Sequence, residues 1–290
     1  MLELRFVKMN PCGNTTVFVL DPVPRERYKS VSQAVMATKS VGAEQVGFIC
    51  PSSLAPSGLR MEMMGGEFCA NASRSFAAWQ FFDAGTQWMR RLRQEGAGSI
   101  GLDVSGNNGL LQAEIQRPQA GAACYVSCRM PLPIAVRHGR DSYFGPYSFV
   151  AYTGISHLVA WDAQPRQSDT IVVDIMEAQR LAGQLSMDAN SIGIMFYEPK
   201  KKAIRPLVHI AHAGTTIWET SCGSGSCAVA AAMADTDACP EGDYAIRQPG
   251  GLLTVHTKRR GNRFVELTLG GVVEMTAQGK LYLNPLEADG

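Results

Sequence analysis

The chain has 290 residues, 46% of them apolar and 18% charged, which is a globular composition and excludes a disordered chain. Lys and Arg number 27 against 26 Asp and Glu, for a net charge of +1 with no strongly basic or acidic run, so nucleic-acid binding has no electrostatic footprint. The longest apolar run, Cys227 to Ala234, is far too short to span a membrane, and a cytoplasmic protein is expected.

In chain order, alternation predicts strands at Phe6 to Met9, Thr16 to Leu20, Gln45 to Cys50 and Leu59 to Met64. More follow at Ile100 to Val104, Leu110 to Ile115 and Tyr125 to Met130. Tyr28, Val31, Ala34, Val35 and Thr38 share one helical face, as do Ile175, Ala178, Leu181, Ala182 and Leu185. Pro131-Leu-Pro133 suits a crossing near the midpoint. The closing segment reads as a terminal strand set, with glycine pairs at 250–251 and 270–271 as turns or bulges.

The two halves resemble one another. Gly13 to Asp21 matches Gly154 to Asp162 at an offset of 141, Val46 to Ile49 matches Ile192 to Met195 at 146, and Phe68 to Ser75 matches Ser221 to Ala228 at 153. Three matches in one order predict a duplication. The expected domains are 1–130, completed by about 270–290, and 131–269.

The eight cysteines show neither CxxC spacing nor a metal-ligand pattern, and a chain of this length needs no disulfide framework. Cys50, Cys124, Cys128, Cys227 and Cys239 read as packing residues, and Cys12, near Asn14, receives no role. Cys69 and Cys222 differ, because each opens a helix dense in small residues at the matching place of the repeat. A helix start offers unpaired N–H groups and partial positive charge, which favour a bound carboxylate and a thiolate. Two such cysteines about an inter-domain cleft would place a sulfur on each face of one α-carbon. One thiolate would remove a proton and one thiol would return one, which is racemisation or epimerisation without a cofactor.

The residues then resemble a known family. Gly66-Glu-Phe-Cys-Ala-Asn-Ala-Ser-Arg and Ser221-Cys-Gly-Ser-Gly-Ser resemble the paired cysteine motifs of the diaminopimelate epimerases. Lys8 to Phe18 resembles that family's opening strand and loop, and Pro249-Gly-Gly and the stretch from Gly270 to Gly279 resemble its end. That family has an arginine and a glycine-containing loop before the second cysteine. Here Ile217-Trp-Glu-Thr-Ser-Cys222 runs straight in, and Gly154-Ile-Ser-His157 replaces Gly-Asn-Pro-His. A second substrate carboxylate would lack its partner, which argues against diaminopimelate. Asn10-Pro-Cys-Gly-Asn14, Glu44 to Phe48, Gly66 to Cys69, Trp218 to Gly225 and Gln248 to Gly251 resemble the histidine racemases, which supply D-histidine for staphylopine-type opine metallophores.

The resemblance implies an α+β, pseudo-symmetric, two-domain diaminopimelate epimerase-like fold, each domain a curled sheet around a central helix, with the site in the cleft. It implies Cys69 and Cys222 as the catalytic pair, with His157 and Glu219 as polar partners able to relay a proton. Ala70, Asn71, Gly223 and Ser224 would offer backbone N–H groups to the α-carboxylate, and Asn14 and Gln45 would line the substrate. Ala70 stands where the family has glycine, which matters only if that position needs a positive φ or a very close approach. Glu44 is the expected partner of the imidazole, with Glu67 competing, because a cation wants a carboxylate. His209 and His212 are expected on a strand surface. No cofactor and no metal are expected. The expected partner is a small-molecule amino acid, with a homodimer allowed for and neither nucleic acid nor membrane. The competing readings are diaminopimelate epimerase, a proline-racemase-like enzyme, a phenazine-pathway-type isomerase, and a non-catalytic amino-acid-binding protein.

Overall fold

A computed structural model describes residues 1–83, 90, 94–116, 121–163, 171–187, 190–211, 214–237 and 239–283. The chain divides into two compact units, Met1–Cys128 with the chain from Gly270 onward, and Arg129–Leu269. Pro131-Leu132-Pro133 lies just past the first boundary.

The first unit contains β1 (Leu2–Asn10), β2 (Thr16–Val19), α1 (Tyr28–Met36), β3 (Gln45–Pro51), β4 (Leu59–Met63), α2 (Ala70–Asp83), β5 (Ala97–Val104), β6 (Leu111–Gln116) and β7 (Ala123–Arg129). The strands pair in sequence order from β1 to β7. The sheet then closes on itself. Leu2 to Asn10 pair antiparallel with Glu274 to Leu283 of β16 (Arg263–Leu283), and the Met275 N–H donates to Ala122 O at 3.0 Å, where β16 meets β7. α2 fills the interior, and every residue from Ala70 to Phe81 is buried. A helix buried on all sides shows no apolar stripe, so density of small and aromatic residues is its sequence signal rather than period. α1 is amphipathic and lays Tyr28, Val31, Ser32 and Val35 inward, with the Tyr28 ring stacked 3.6 Å from that of Phe48.

The second unit contains β8 (Ala135–Asp141), β9 (Gly145–Tyr152), β10 (Ile155–Trp161), α3 (Ile171–Gln184), β11 (Ser191–Glu198), β12 (Ala203–Ile210), β13 (Thr215–Trp218), α4 (Gly223–Thr236), β14 (Glu241–Gln248), β15 (Gly251–Arg260) and the start of β16. Its sheet order is β16-β15-β14-β12-β11-β10-β9-β8, with β13 beside β12. α4 packs against β8, β9, β10, β11, β14 and β15, and it is sheathed as α2 is. α3 buries Ile175, Ala178, Leu181 and Ala182, the face that the sequence marks.

The duplication is visible in pairing. β2 runs parallel to β3 with Phe18 opposite Gly47, and β10 runs parallel to β11 with His157 opposite Gly193. In both pairs the side chain lies across its glycine: a Cβ on Gly47 would meet Phe18 at 3.0 Å, and one on Gly193 would meet His157 at 2.3 Å. The structural offset here is therefore 139, not 141, and His157 takes the place of the core residue Phe18. The sequence match at Gly13 and Gly154 aligned two turns of different length.

Two further readings change. Gly270 and Gly271 make no turn; β16 runs through them, and both are buried. Gly250 does turn, with Pro249 between β14 and β15, while Gly251 opens β15 paired with Gln248. Cys239 is exposed rather than packed. Among the described residues no helix is long and apolar enough to cross a membrane.

Candidate active site

Cys69 directly precedes α2 and Cys222 directly precedes α4, and both stand as thiols. The two starts are built alike. The Ser73 N–H and Oγ both donate to Cys69 O, at 2.9 and 2.8 Å. The Ser226 N–H and Oγ both donate to Cys222 O, at 3.0 and 2.8 Å. A serine four residues on thus clamps the carbonyl of each cysteine. The Ala72 N–H donates to Cys69 Sγ at 3.4 Å, so sulfur there fills the role that an oxygen plays at an ordinary helix start. The Cys222 side chain makes no such cap bond, although the nearby Gly225 N–H favours its thiolate. Ala70 and Gly223 are plain helical positions without positive φ, so the backbone at 70 does not require glycine.

Around Cys69, four sequence-predicted residues come together. The Cys69 thiol donates to Gln45 Oε1 at 3.2 Å. Gln45 Nε2 donates to Asn14 Oδ1 at 2.8 Å and Thr16 Oγ1 at 2.7 Å. Asn71 Nδ2 donates to Asn14 Oδ1 at 3.2 Å, and Asn14 Nδ2 donates to Glu44 Oε2 at 2.8 Å. Glu44 therefore enters the Cys69 network through Asn14, with its carboxylate on the exposed side. Glu67 is also exposed, and its carbonyl accepts the Ser105 hydroxyl at 2.8 Å. Cys12 sits in the opening loop at φ 74°.

Sequence reasoning missed Arg74. It is fully buried on α2, and its Nη2 donates to Asn71 Oδ1 at 2.8 Å and Pro11 O at 3.3 Å. Burial pushes the guanidinium below its ordinary value, against thiols and the Tyr125 phenol rather than a carboxylate. Burial raises Cys124 and Cys128 to about 12 despite that cation. They are inert packing thiols, as their alternating strand pattern predicts.

Around Cys222 the predicted residues also meet. Burial pushes this thiol well up, and the Glu219 carboxylate adds to the rise through its charge and a hydrogen bond. Ser224 Oγ lies 3.7 Å from Cys222 Sγ and 3.0 Å from His157 Nε2. His157 is wholly buried, and burial alone lowers it to about 3. It is a neutral imidazole at physiological pH. Gln248, buried at the end of β14, is the second residue missed. Its Oε1 accepts the Cys222 N–H at 2.6 Å, and its Nε2 donates to Ser226 Oγ at 2.9 Å. Gln248 lies in a stretch that carries the family resemblance, but a contact spanning 26 residues leaves no local trace. His209 lies on β12 against Thr216 Oγ1 at 2.8 Å, away from this network, and His212 lies outside the described residues. Among the described residues no cluster of three His, Cys, Asp or Glu could hold a metal ion.

The chain is 28% identical over 289 residues to a histidine racemase of Staphylococcus aureus strain Mu50, covering 97% of this chain and 98% of that protein. It is 27% identical over 284 residues to a histidine racemase of Fusobacterium nucleatum subsp. nucleatum, covering 97% of each. A hydroxyproline epimerase from Agrobacterium vitis, crystallised with trans-4-hydroxy-L-proline, shares the fold with a TM-score of 0.66 at 14% identity, over 98% of this chain and 94% of that one. The α+β, epimerase-like architecture implied by the cysteine motifs is thus the fold observed. The family model described as the histidine racemase CntK N-terminal domain matches residues 3–282, and the chain belongs to that family.

Proposed function

We propose that the chain interconverts L- and D-histidine in the cytoplasm without a cofactor, with Cys69 and Cys222 as the acid–base pair. The observation that carries this is the repeated helix start. Each unit presents one cysteine directly before its buried helix, with the cysteine carbonyl clamped by the serine four residues on. One sulfur removes the α-proton and the other returns a proton to the opposite face, and the roles reverse with the other enantiomer. The N–H groups of Ala70, Asn71, Gly223 and Ser224 serve the α-carboxylate, because helix starts hold anions through backbone donors. Glu219 favours the protonated form of Cys222, which suits the half of the cycle in which Cys222 is the acid. The two histidine racemase relatives support the substrate, and the D-histidine formed would feed an opine-type metallophore.

Glu44 reads the imidazole, positioned by Asn14. A site built to bond a polar group discriminates strongly against analogues lacking it. Glu44→Ala is expected to lower kcat/KM for histidine by about 10–100-fold, as for loss of a hydrogen bond to a charged group. Residual turnover of alanine or leucine should fall far less. Chiral chromatography across these substrates and diaminopimelate is the test. Equal loss on every substrate would make Glu44 structural, and efficient turnover of diaminopimelate would overturn the substrate. Exhaustive dialysis against a chelator, and treatment with hydroxylamine to strip any carbonyl cofactor, should leave turnover unchanged; loss restored by added metal would contradict the scheme.

A further inference from the structure

The Cys222 network has a direction. His157 carries a single ring proton at neutral pH, since burial holds it to about 3. Its Nε2 lies 3.0 Å from Ser224 Oγ, while Nδ1, fully buried, makes no hydrogen bond to a described protein atom. The space beside Nδ1 is closed by Gly193, where an added Cβ would lie 2.3 Å away, and the ring meets Tyr152 edge-on. A buried N–H without an acceptor is the rarer and costlier state, compared with an under-used lone pair. The proton therefore sits on Nε2 and is donated to Ser224 Oγ. That leaves the hydroxyl's own hydrogen for its other neighbour, Cys222 Sγ, 3.7 Å away.

We propose that Ser224 is a catalytic hydroxyl that donates to the Cys222 sulfur whenever it is a thiolate, with neutral His157 the positioning residue that fixes the direction. The proposal rests on the racemase reading only in taking Cys222 as one of the acid–base pair. When Cys222 accepts the α-proton, the C–H electron pair stays on carbon, the S–H bond forms, and the Ser224 hydrogen bond loosens. Ser224 and His157 neither gain nor lose a proton. The other groups acting on this sulfur are the Glu219 carboxylate, which favours the thiol, and the Gly225 N–H, which favours the thiolate. Gln248 of β14 holds the Cys222 N–H and carries no charge. Tyr152 of β9 is raised well above its ordinary value by burial and by Cys227, and it stays neutral. The molecule supplies its own comparison, because the first unit has Phe18 where the second has His157.

The test follows the Cys222 titration by NMR of protein carrying 13C-labelled cysteine β-carbons, alongside 15N NMR of His157. In the wild type, His157 should show a protonated Nε2 and a bare Nδ1 throughout. Ser224→Ala should raise the Cys222 midpoint by about 1–2 pH units, the worth of a hydrogen bond to a charged group. Ser224→Thr, which keeps the hydroxyl, should restore it. His157→Phe should raise the midpoint in the same direction, and combined with Ser224→Ala should add nothing further. A proton on Nδ1, an unmoved midpoint in Ser224→Ala, or a Cys222 that never ionises while the protein is folded would each overturn the proposal. Racemisation surviving in Cys222→Ser would instead sink the acid–base reading and leave the titration result standing.

Discussion

Cys69→Ser and Cys222→Ser are each expected to lower histidine racemisation by about 10²–10⁴-fold, the usual worth of a positioned acid or base. A hydroxyl is a far weaker base than a thiolate at neutral pH, and serine differs from cysteine by one atom. Neither replacement disturbs the clamp on the cysteine carbonyl, which Ser73 and Ser226 supply from four residues on. Both variants should therefore keep the wild-type melting temperature within a few degrees. Turnover by chiral chromatography, beside thermal melts by circular dichroism, checks both halves of the expectation. Turnover within a factor of a few of wild type in either variant would refute the two-base scheme.

Gly106→Ala should produce the largest loss of stability. Gly106 follows β5 at φ +69°, and a Cβ there would lie 2.2 Å from Phe68 N and 2.8 Å from Phe68 Cα. Both are backbone atoms of the residue before Cys69, so no side-chain rotation relieves the clash. Left-handed backbone costs a non-glycine residue about 1–2 kcal/mol, and overpacking adds about 1–3 kcal/mol. The neighbouring Ser105 hydroxyl bonds the Glu67 carbonyl and receives the Met63 N–H, tying the same loop to β4. The alanine must push that loop away and take Cys69 with it. The denaturant midpoint should fall by an amount matching about 2–5 kcal/mol, with kcat lowered in the protein that remains folded. A midpoint within 0.5 kcal/mol of wild type would mean that the loop does not seat the cysteine.

The catalytic candidates were legible because they sit on a repeat. Cys69 and Cys222 match in place, and the serines four residues on, Ser73 and Ser226, repeat as well. α1 and α3 were legible because each buries one face. The partners of the cysteines were harder. Gln248 and Arg74 act through contacts set by the sheets, and no local pattern announces a buried arginine facing thiols. β8 was missed because Arg137, His138, Gly139 and Arg140 are exposed and break the alternation. The alignment of Gly13 with Gly154 failed by two residues because glycine marks a turn without fixing its length, whereas Phe18 and His157 occupy the same register in their sheets. Gly270 and Gly271 looked like punctuation, yet a strand passing from one unit's sheet to the other's needs no turn there.

The proposed chemistry is proton exchange at the α-carbon of histidine between two cysteine sulfurs, without metal or cofactor. Incubating the purified, chelator-treated protein with L-histidine in D₂O tests it most directly, with the α-proton followed by NMR and the enantiomers separated by chiral chromatography. The expected result is loss of the α-proton signal together with accumulation of D-histidine carrying α-deuterium, reaching equal amounts of the two enantiomers from either side. A folded protein that leaves the α-proton of L-histidine in place, with no D-histidine formed, would contradict it.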